Sequence, residues 1–212
     1  MSTSRIRRRI RLGKHSNGMI MTPEEFDAVT EVDERYVYEL IHGVLIVSPP
    51  PGEGERDPNG ELEYLLRRHK EDHPQGSLLD KTLSEQYVHL PDSRRRADRV
   101  LWIGLGRVPD PAKDVPTIVV EFVSKRKRDR VRDFEEKRRE YLDLGVHEYW
   151  IIDRFSRSMT VVRRTPAGPE EVVVPESGTY QSPSLPGFEL PLSRLLSLAD
   201  HWGEGGRPRP PR

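Results

Sequence analysis

Residues 115–153, VPTIVVEFVSKRKRDRVRDFEEKRREYLDLGVHEYWIID, read as strand, basic turn, helix and strand. Ile118, Val119 and Val120 form a continuous β-branched run, the composition of a strand covered on both faces. Glu121 follows at once in that strand. Beyond Lys125, Arg126, Lys127 and Arg128, a helical segment repeats Asp133, Lys137 and Tyr141 every four residues, which sets all three on one face. Glu148 to Asp153 (EYWIID) is a second apolar strand. The whole has the length of a βαβ crossover and gathers acids and a lysine near the end of its first strand. A hydrophobic core has no need of that arrangement.

Bulk properties narrow the rest. A chain of 212 residues fits one domain with a sizeable core, but 34% hydrophobic and 33% charged residues confine that core to a few strands. Thirty-five basic residues balance 35 acidic ones, so any attraction for phosphate must be local. The absence of cysteine excludes disulfide scaffolds, thiolate zinc sites and cysteine nucleophiles. No segment approaches the roughly 20 apolar residues that cross a bilayer, and the basic N-terminus has no apolar run behind it. A soluble, cytoplasmic protein without membrane contact is the expectation. The expected partition is a basic segment over 1–19, a single domain over 20–200 and a disordered tail over 201–212.

Along the chain, Arg5, Arg7, Arg8, Arg9, Arg11 and Lys14 form a basic leader. It reads as a nucleic-acid arm or, more ordinarily, as a tail or edge strand. Thr22-Pro23-Glu24-Glu25 is a capping box that opens a short helix. The apolar runs Tyr36–Leu40 and Val44–Val47 flank His42-Gly43, a hairpin signal. Residues 48–60 (SPPPGEGERDPNG) read as a loop, and the spacing of Leu62, Leu65, Leu66 and His69 predicts a helix from about Glu61 to Asp72. Strands are expected around Leu78–Asp80, over Glu85–Leu90, and after a basic turn at Arg94-Arg95-Arg96, with Asp98 at the beginning of the last. Met159–Arg163 and Val172–Val174 predict a hairpin, and Ser193–Leu198 a final helix.

Three side chains carry the chemistry. Phosphodiester hydrolysis needs charge neutralised on the phosphate and a water made nucleophilic; one or two Mg²⁺ ions held by a few carboxylates do both. Asp98 and Glu121 suit the carboxylate role, the Phe122 carbonyl could add an oxygen ligand, and Lys137 could reach the same place from its helix. Each has a plainer reading. Asp98 could be an arginine-paired strand end, and Lys137 a partner of Asp133 four residues back. Glu121 lies either at the strand mouth or in the interior, where it requires a cation or hydrogen-bond partners.

The sequence resembles the Uma-type family of restriction-endonuclease-like proteins, a branch of the PD-(D/E)XK nuclease superfamily. The resemblance rests on Tyr38-Glu39-Leu40-Ile41-His42-Gly43 running to Ser48-Pro49, Ala97-Asp98, Val120-Glu121-Phe122-Val123-Ser124, Asp133 with Lys137 and Tyr141, and Gly145-Val146-His147-Glu148-Tyr149-Trp150-Ile151-Ile152-Asp153. It covers roughly residues 20–195. The resemblance implies an α/β restriction-endonuclease-like core, a mixed β-sheet flanked by helices, with an N-terminal hairpin and a C-terminal hairpin extension. It implies Asp98 and Glu121 as metal-holding catalytic residues, and Lys137 as the lysine. In a plain (D/E)XK motif that lysine falls at Val123, which cannot serve. Glu39, Asp133 and Tyr141 become assisting residues. Ala97 stands where the family has proline, and Pro58-Asn59-Gly60 where it often has a histidine, a departure that bears on activity.

Cations at a helix start oppose the helix dipole, so Lys125, Arg126, Lys127 and Arg128, together with Arg96 beside Asp98, read as phosphate contacts. Arg94, Arg95 and Arg99 flank Asp98 in the same manner. The expected function is Mg²⁺-dependent cleavage of nucleic acid, DNA foremost, with Mn²⁺ as a substitute and a homodimer as the form that cuts both strands. Two alternatives stand beside it. One is a silent protein of the same fold that binds nucleic acid or a protein; the other is an interaction protein whose charges are surface pairs.

Overall fold

The structure, a computed structural model, describes residues 10–123 and 135–203. Arg5 to Arg9 of the leader, Lys125, Arg126, Lys127, Arg128, Asp133 and the tail from 204 lie outside the described residues. The chain divides into two compact units, one of Met1–Pro50 with His89–Arg96 and one of Pro51–Val88 with Ala97–Arg212.

In the first unit, β1 (Arg11–Leu12) pairs in parallel with β2 (Glu31–Val32). Helix α1 (Pro23–Asp27) starts as its capping box requires. Thr22 Oγ1 accepts from the Glu25 amide at 3.2 Å, and Glu25 Oε2 accepts from the Thr22 amide at 2.9 Å. Strands β3 (Val37–Ile41) and β4 (Val44–Ser48) form the expected hairpin. Its two turn residues, His42 and Gly43, take φ of 48° and 76°, the left-handed pair whose twist matches the flanking strands. Arg94 belongs here as a structural cation. Its guanidinium grips Asp27 and donates to the carbonyls of Leu90 and Ser93, which removes it from the expected phosphate contacts.

The second unit holds a mixed sheet. Helix α2 (Glu53–Asp72) precedes β5 (Leu79–His89), β6 (Arg94–Ile103, which starts in the first unit) and β7 (Ile118–Phe122). Then come α3 (Lys137–Leu144), β8 (Glu148–Asp153), β9 (Ser158–Thr165), β10 (Gly168–Pro175), a small β11–β12 ribbon (Thr179–Gln181, Glu189–Pro191) and α4 (Leu192–Asp200). The order is β10-β9-β8-β7-β6, with β5 also pairing β6. Strands β7 and β8 run parallel from Ile118↔Glu148 to Phe122↔Ile152, so the chain between them is a crossover. Both are buried at every residue, which is why they lack alternation in sequence.

Each face of this sheet has its own core. Leu101, Ile118, Val120, Trp150 and Ile152 pack with Leu62 and Leu66 of α2 and Leu195 and Leu196 of α4. Val100, Trp102, Val119, Tyr149 and Ile151 pack with Tyr141 of α3. At about 1.5–3 kcal/mol for each fully buried large apolar side chain, these two layers dominate the unit's stability.

The structure corrects three boundaries. Helix α2 begins at Glu53, so residues 53–60 are helical and not loop. Gly54, Pro58, Leu62 and Leu66 recur every four residues as one buried stripe, and packing of that stripe overrides the low helix propensity of glycine and proline. At Gly54 a Cβ would stand 1.8 Å from the Arg154 guanidinium, which would have to move aside. Next, β5 is one strand where two were expected, running through Glu85, whose φ is 53°. Finally, β6 begins at Arg94, so Arg94-Arg95-Arg96 is strand and Asp98 lies mid-strand. The C-terminal hairpin β9–β10 continues the main sheet beside β8.

Candidate active site

The ladder between β6 and β7 pairs Leu101↔Ile118, Val100↔Val119 and Arg99↔Val120. The next opposed positions are Asp98 and Glu121. Strand alternation turns both toward the face that holds Val100, Val119 and Tyr141, so two acids extend an otherwise apolar layer. Asp98 is half-buried, and its Oδ2 accepts from the Phe122 amide at 2.6 Å. A side chain therefore spans the two strands one position beyond the Arg99↔Val120 pair. Glu121, only 5% exposed at its side chain, meets Lys137, only 3% exposed, with Nζ 2.6 Å from Oε1. The Tyr141 hydroxyl donates to the same oxygen at 3.2 Å, and its ring stands edge-on to Tyr149.

Local sequence produces this convergence. Lys137 and Tyr141 are one helical turn apart, and α3 lies in the crossover between two parallel strands, so it must return across the sheet face. Gly145, at φ 110°, ends the helix in the left-handed conformation that few other residues adopt. Of the two readings of Glu121, the structure shows an interior carboxylate with a cation. A buried pair of this kind contributes little net stability, yet removing one partner costs about 3–5 kcal/mol, because the other charge is left in a low-dielectric interior.

The remaining expected residues fall in different places. Phe122 ends β7, and its amide, not its carbonyl, makes the recorded contact with Asp98. Glu39 lies in the first unit, 6% exposed, accepting from the Arg96 amide at 3.1 Å. Arg96 is half-buried in that unit. Arg95 is fully buried, and Arg99 is 1% exposed and engaged on all sides, so neither is presented to a phosphate.

Sequence reasoning took Arg99 for a phosphate contact and missed its pairing with Asn59. Arg99 Nε donates to Asn59 Oδ1 at 2.7 Å, Nη1 to Thr82 Oγ1 at 2.9 Å, and Nη2 to Glu63 Oε2 at 2.9 Å and the Asn59 carbonyl at 3.1 Å. Asn59 Nδ2 donates to the Asp98 carbonyl at 2.9 Å. Burial pulls the Arg99 guanidinium below its ordinary pKa, opposed by the hydrogen bond and charge of Glu63. Burial pushes Glu63 up, but hydrogen bonds from Arg67 and Arg99 outweigh it and hold the carboxyl below the usual range. The available signal was an arginine alternating with Leu101 and Ile103 in a buried strand, a position that demands partners.

Divalent cations such as magnesium take hard oxygen ligands. Two carboxylates at facing positions, with a main-chain carbonyl at the strand end, are a donor set of that type. Among the described residues no group of three or more His, Cys, Asp or Glu could hold a metal ion.

A mixed sheet with a parallel strand pair, a crossover helix and two acids at facing positions beyond the central ladder defines an α/β protein. The fold is shared with a crystal structure described as "a putative nuclease belonging to DUF820" from Anabaena variabilis. That protein is 18% identical with a TM-score of 0.66, and the match covers 84% of this chain and 99% of that one. The family model Uma2, "Putative restriction endonuclease", matches residues 23–193, and the chain belongs to that family. No curated protein matches it. Among the described residues no helix is long and apolar enough to cross a membrane.

Proposed function

We propose that this protein is a Mg²⁺-dependent endonuclease acting on DNA in the cytoplasm, with Mn²⁺ able to replace Mg²⁺. The observation that carries the reading is the 2.6 Å contact of Lys137 Nζ with Glu121 Oε1, beside an aspartate at the facing position of the neighbouring strand. Asp98, Glu121 and the Phe122 carbonyl would hold the cation. When bound, such an ion neutralises phosphate charge and makes a coordinated water acidic enough to attack.

The chain's own residues account for the rest. Lys137, which donates to Glu121, is placed to orient a water and to counter the charge that builds on the phosphate oxygens. The Phe122 amide fixes the Asp98 carboxylate against β7. Tyr141 holds the same Glu121 oxygen as Lys137 and so limits its rotation. In hydrolysis the water oxygen bonds to phosphorus, the ester P–O bond breaks, and the departing alkoxide takes a proton. Lys125, Arg126, Lys127 and Arg128 are assigned to phosphate contacts, Asp133 to assistance at the metal, and a homodimer to double-strand cutting.

The test is cleavage of supercoiled plasmid and single-stranded DNA with and without Mg²⁺, for the natural protein, Asp98→Ala and Lys137→Ala. The expected result is metal-dependent nicking that falls at least about 100-fold in both variants. Unchanged rates in both would remove the mechanism.

A further inference from the structure

We infer that Asn59, clamped from behind by Arg99, is a positioning residue that sets where the Asp98 strand stands relative to Glu121. The inference rests on the nuclease reading above and names a part of it that lies outside the acid–lysine constellation.

The geometry is two-sided. Asp98 is tied to β7 through its side chain, by the Phe122 amide at 2.6 Å, and to α2 through its main chain, by Asn59 Nδ2 at 2.9 Å. The Asn59 amide has one satisfying orientation. Its NH₂ faces a carbonyl, which only accepts, and its oxygen faces a guanidinium, which only donates. Arg99 is itself immobilised by Thr82 on β5 and Glu63 on α2. A rigid helix thus reaches through the sheet's backbone to the residue before Arg99, on the face opposite the acids.

This arrangement is more than packing requires. An apolar pair at positions 59 and 99 would fill the same layer, as Leu62 and Leu101 do nearby, without desolvating a guanidinium. What the polar pair adds is directional: it fixes the height of the Asp98 carbonyl, and so of the carboxylate that must share an ion with Glu121. Partners one shell out from a metal ligand typically change metal affinity about 10- to 100-fold when lost.

Asn59→Asp separates this role from folding. It keeps an oxygen, now charged, against Arg99, and replaces the donor to the Asp98 carbonyl by a second acceptor that repels it. Leu65→Ala, in the same helix and packed against the core, serves as a control that destabilises without touching Asp98. The measurement is calorimetric Mn²⁺ titration of the full chain without DNA, alongside Mg²⁺-dependent plasmid cleavage. A Kd for Mn²⁺ raised about tenfold in Asn59→Asp, with Leu65→Ala matching the natural protein, is the expected outcome. Equal Kd values in Asn59→Asp and the natural protein would overturn the inference and leave the nuclease reading standing. An equal rise in Leu65→Ala would overturn it too, as general loosening. A natural protein that neither binds Mn²⁺ nor cleaves DNA would sink the nuclease reading and this inference with it.

Discussion

Replacing Lys137 by methionine removes a cation and keeps most of the side-chain volume. In the natural protein the Lys137 ammonium and the Glu121 carboxylate stand 2.6 Å apart at 3% and 5% exposure, so water screens neither. In the variant, Glu121 keeps Tyr141 as a donor but loses the Lys137 ammonium from its buried oxygen. The cost is about 3–5 kcal/mol at neutral pH. At roughly 2–4 °C per kcal/mol for a chain of this size, the melting temperature falls by about 6–20 °C. Changing both partners, Glu121→Gln with Lys137→Met, removes the stranded charge and returns stability to within about 1 kcal/mol of the natural protein. Urea unfolding at pH 7.5 of the natural protein, Lys137→Met, Glu121→Gln and the double variant gives the coupling energy directly. A Lys137→Met loss below about 1 kcal/mol, or a double variant as unstable as the sum of the singles, would refute the buried-pair argument. Neither variant should cleave DNA, so stability and activity part company in the double variant.

Further outcomes follow from other contacts. Tyr141→Phe deletes the 3.2 Å hydrogen bond to Glu121 and should cost about 1 kcal/mol in urea unfolding, with a smaller loss of cleavage than Lys137→Met. Glu63 is held below its ordinary pKa in the folded chain, so its contribution is fully present above about pH 4.3 and is lost as pH falls through the folded value. The stability gap between the natural protein and Glu63→Gln, followed by melting temperature from pH 7 to pH 3, should therefore be constant at neutral pH and close in acid. A gap that widens on acidification would contradict that sign. His69 is held neutral by burial, reinforced by the nearby His73, so His69→Phe should lessen the loss of stability as pH drops below about 6.5. Glu148 accepts from Trp150, Tyr180, Ser182 and the Ser184 amide, so Glu148→Leu strands several buried donors. It should cost at least about 3 kcal/mol in unfolding, with Mn²⁺ affinity unmoved.

How much of this was legible in the sequence differs by element. The parallel pair β7–β8 is written in its composition, since a strand covered on both faces has no room for alternation, and the helical spacing of Lys137 and Tyr141 already puts them side by side. Glu121 is conspicuous for the same reason: a carboxylate in an apolar run must find a partner. The beginning of α2 was hidden because Pro58 and the glycines argue locally for a loop, and only packing of the Gly54–Pro58–Leu62–Leu66 stripe reverses that. The arginines around Asp98 look alike in sequence, yet burial divides them. Arg94 is tied to Asp27, Arg95 lies inside, and Arg99 is bound to Asn59 and Glu63. Charge runs do not reveal which members face water, because that depends on which strand pairs beside them. The link from Asn59 to Asp98 joins residues 39 apart, and no local pattern encodes it.

The measurement closest to the heart of the account is anomalous difference density from a crystal soaked in Mn²⁺. The expected result is a peak held between the carboxylates of Asp98 and Glu121, lost in Asp98→Asn. Density at full Mn²⁺ occupancy elsewhere, with these two acids empty while the protein still cleaves DNA, would contradict it.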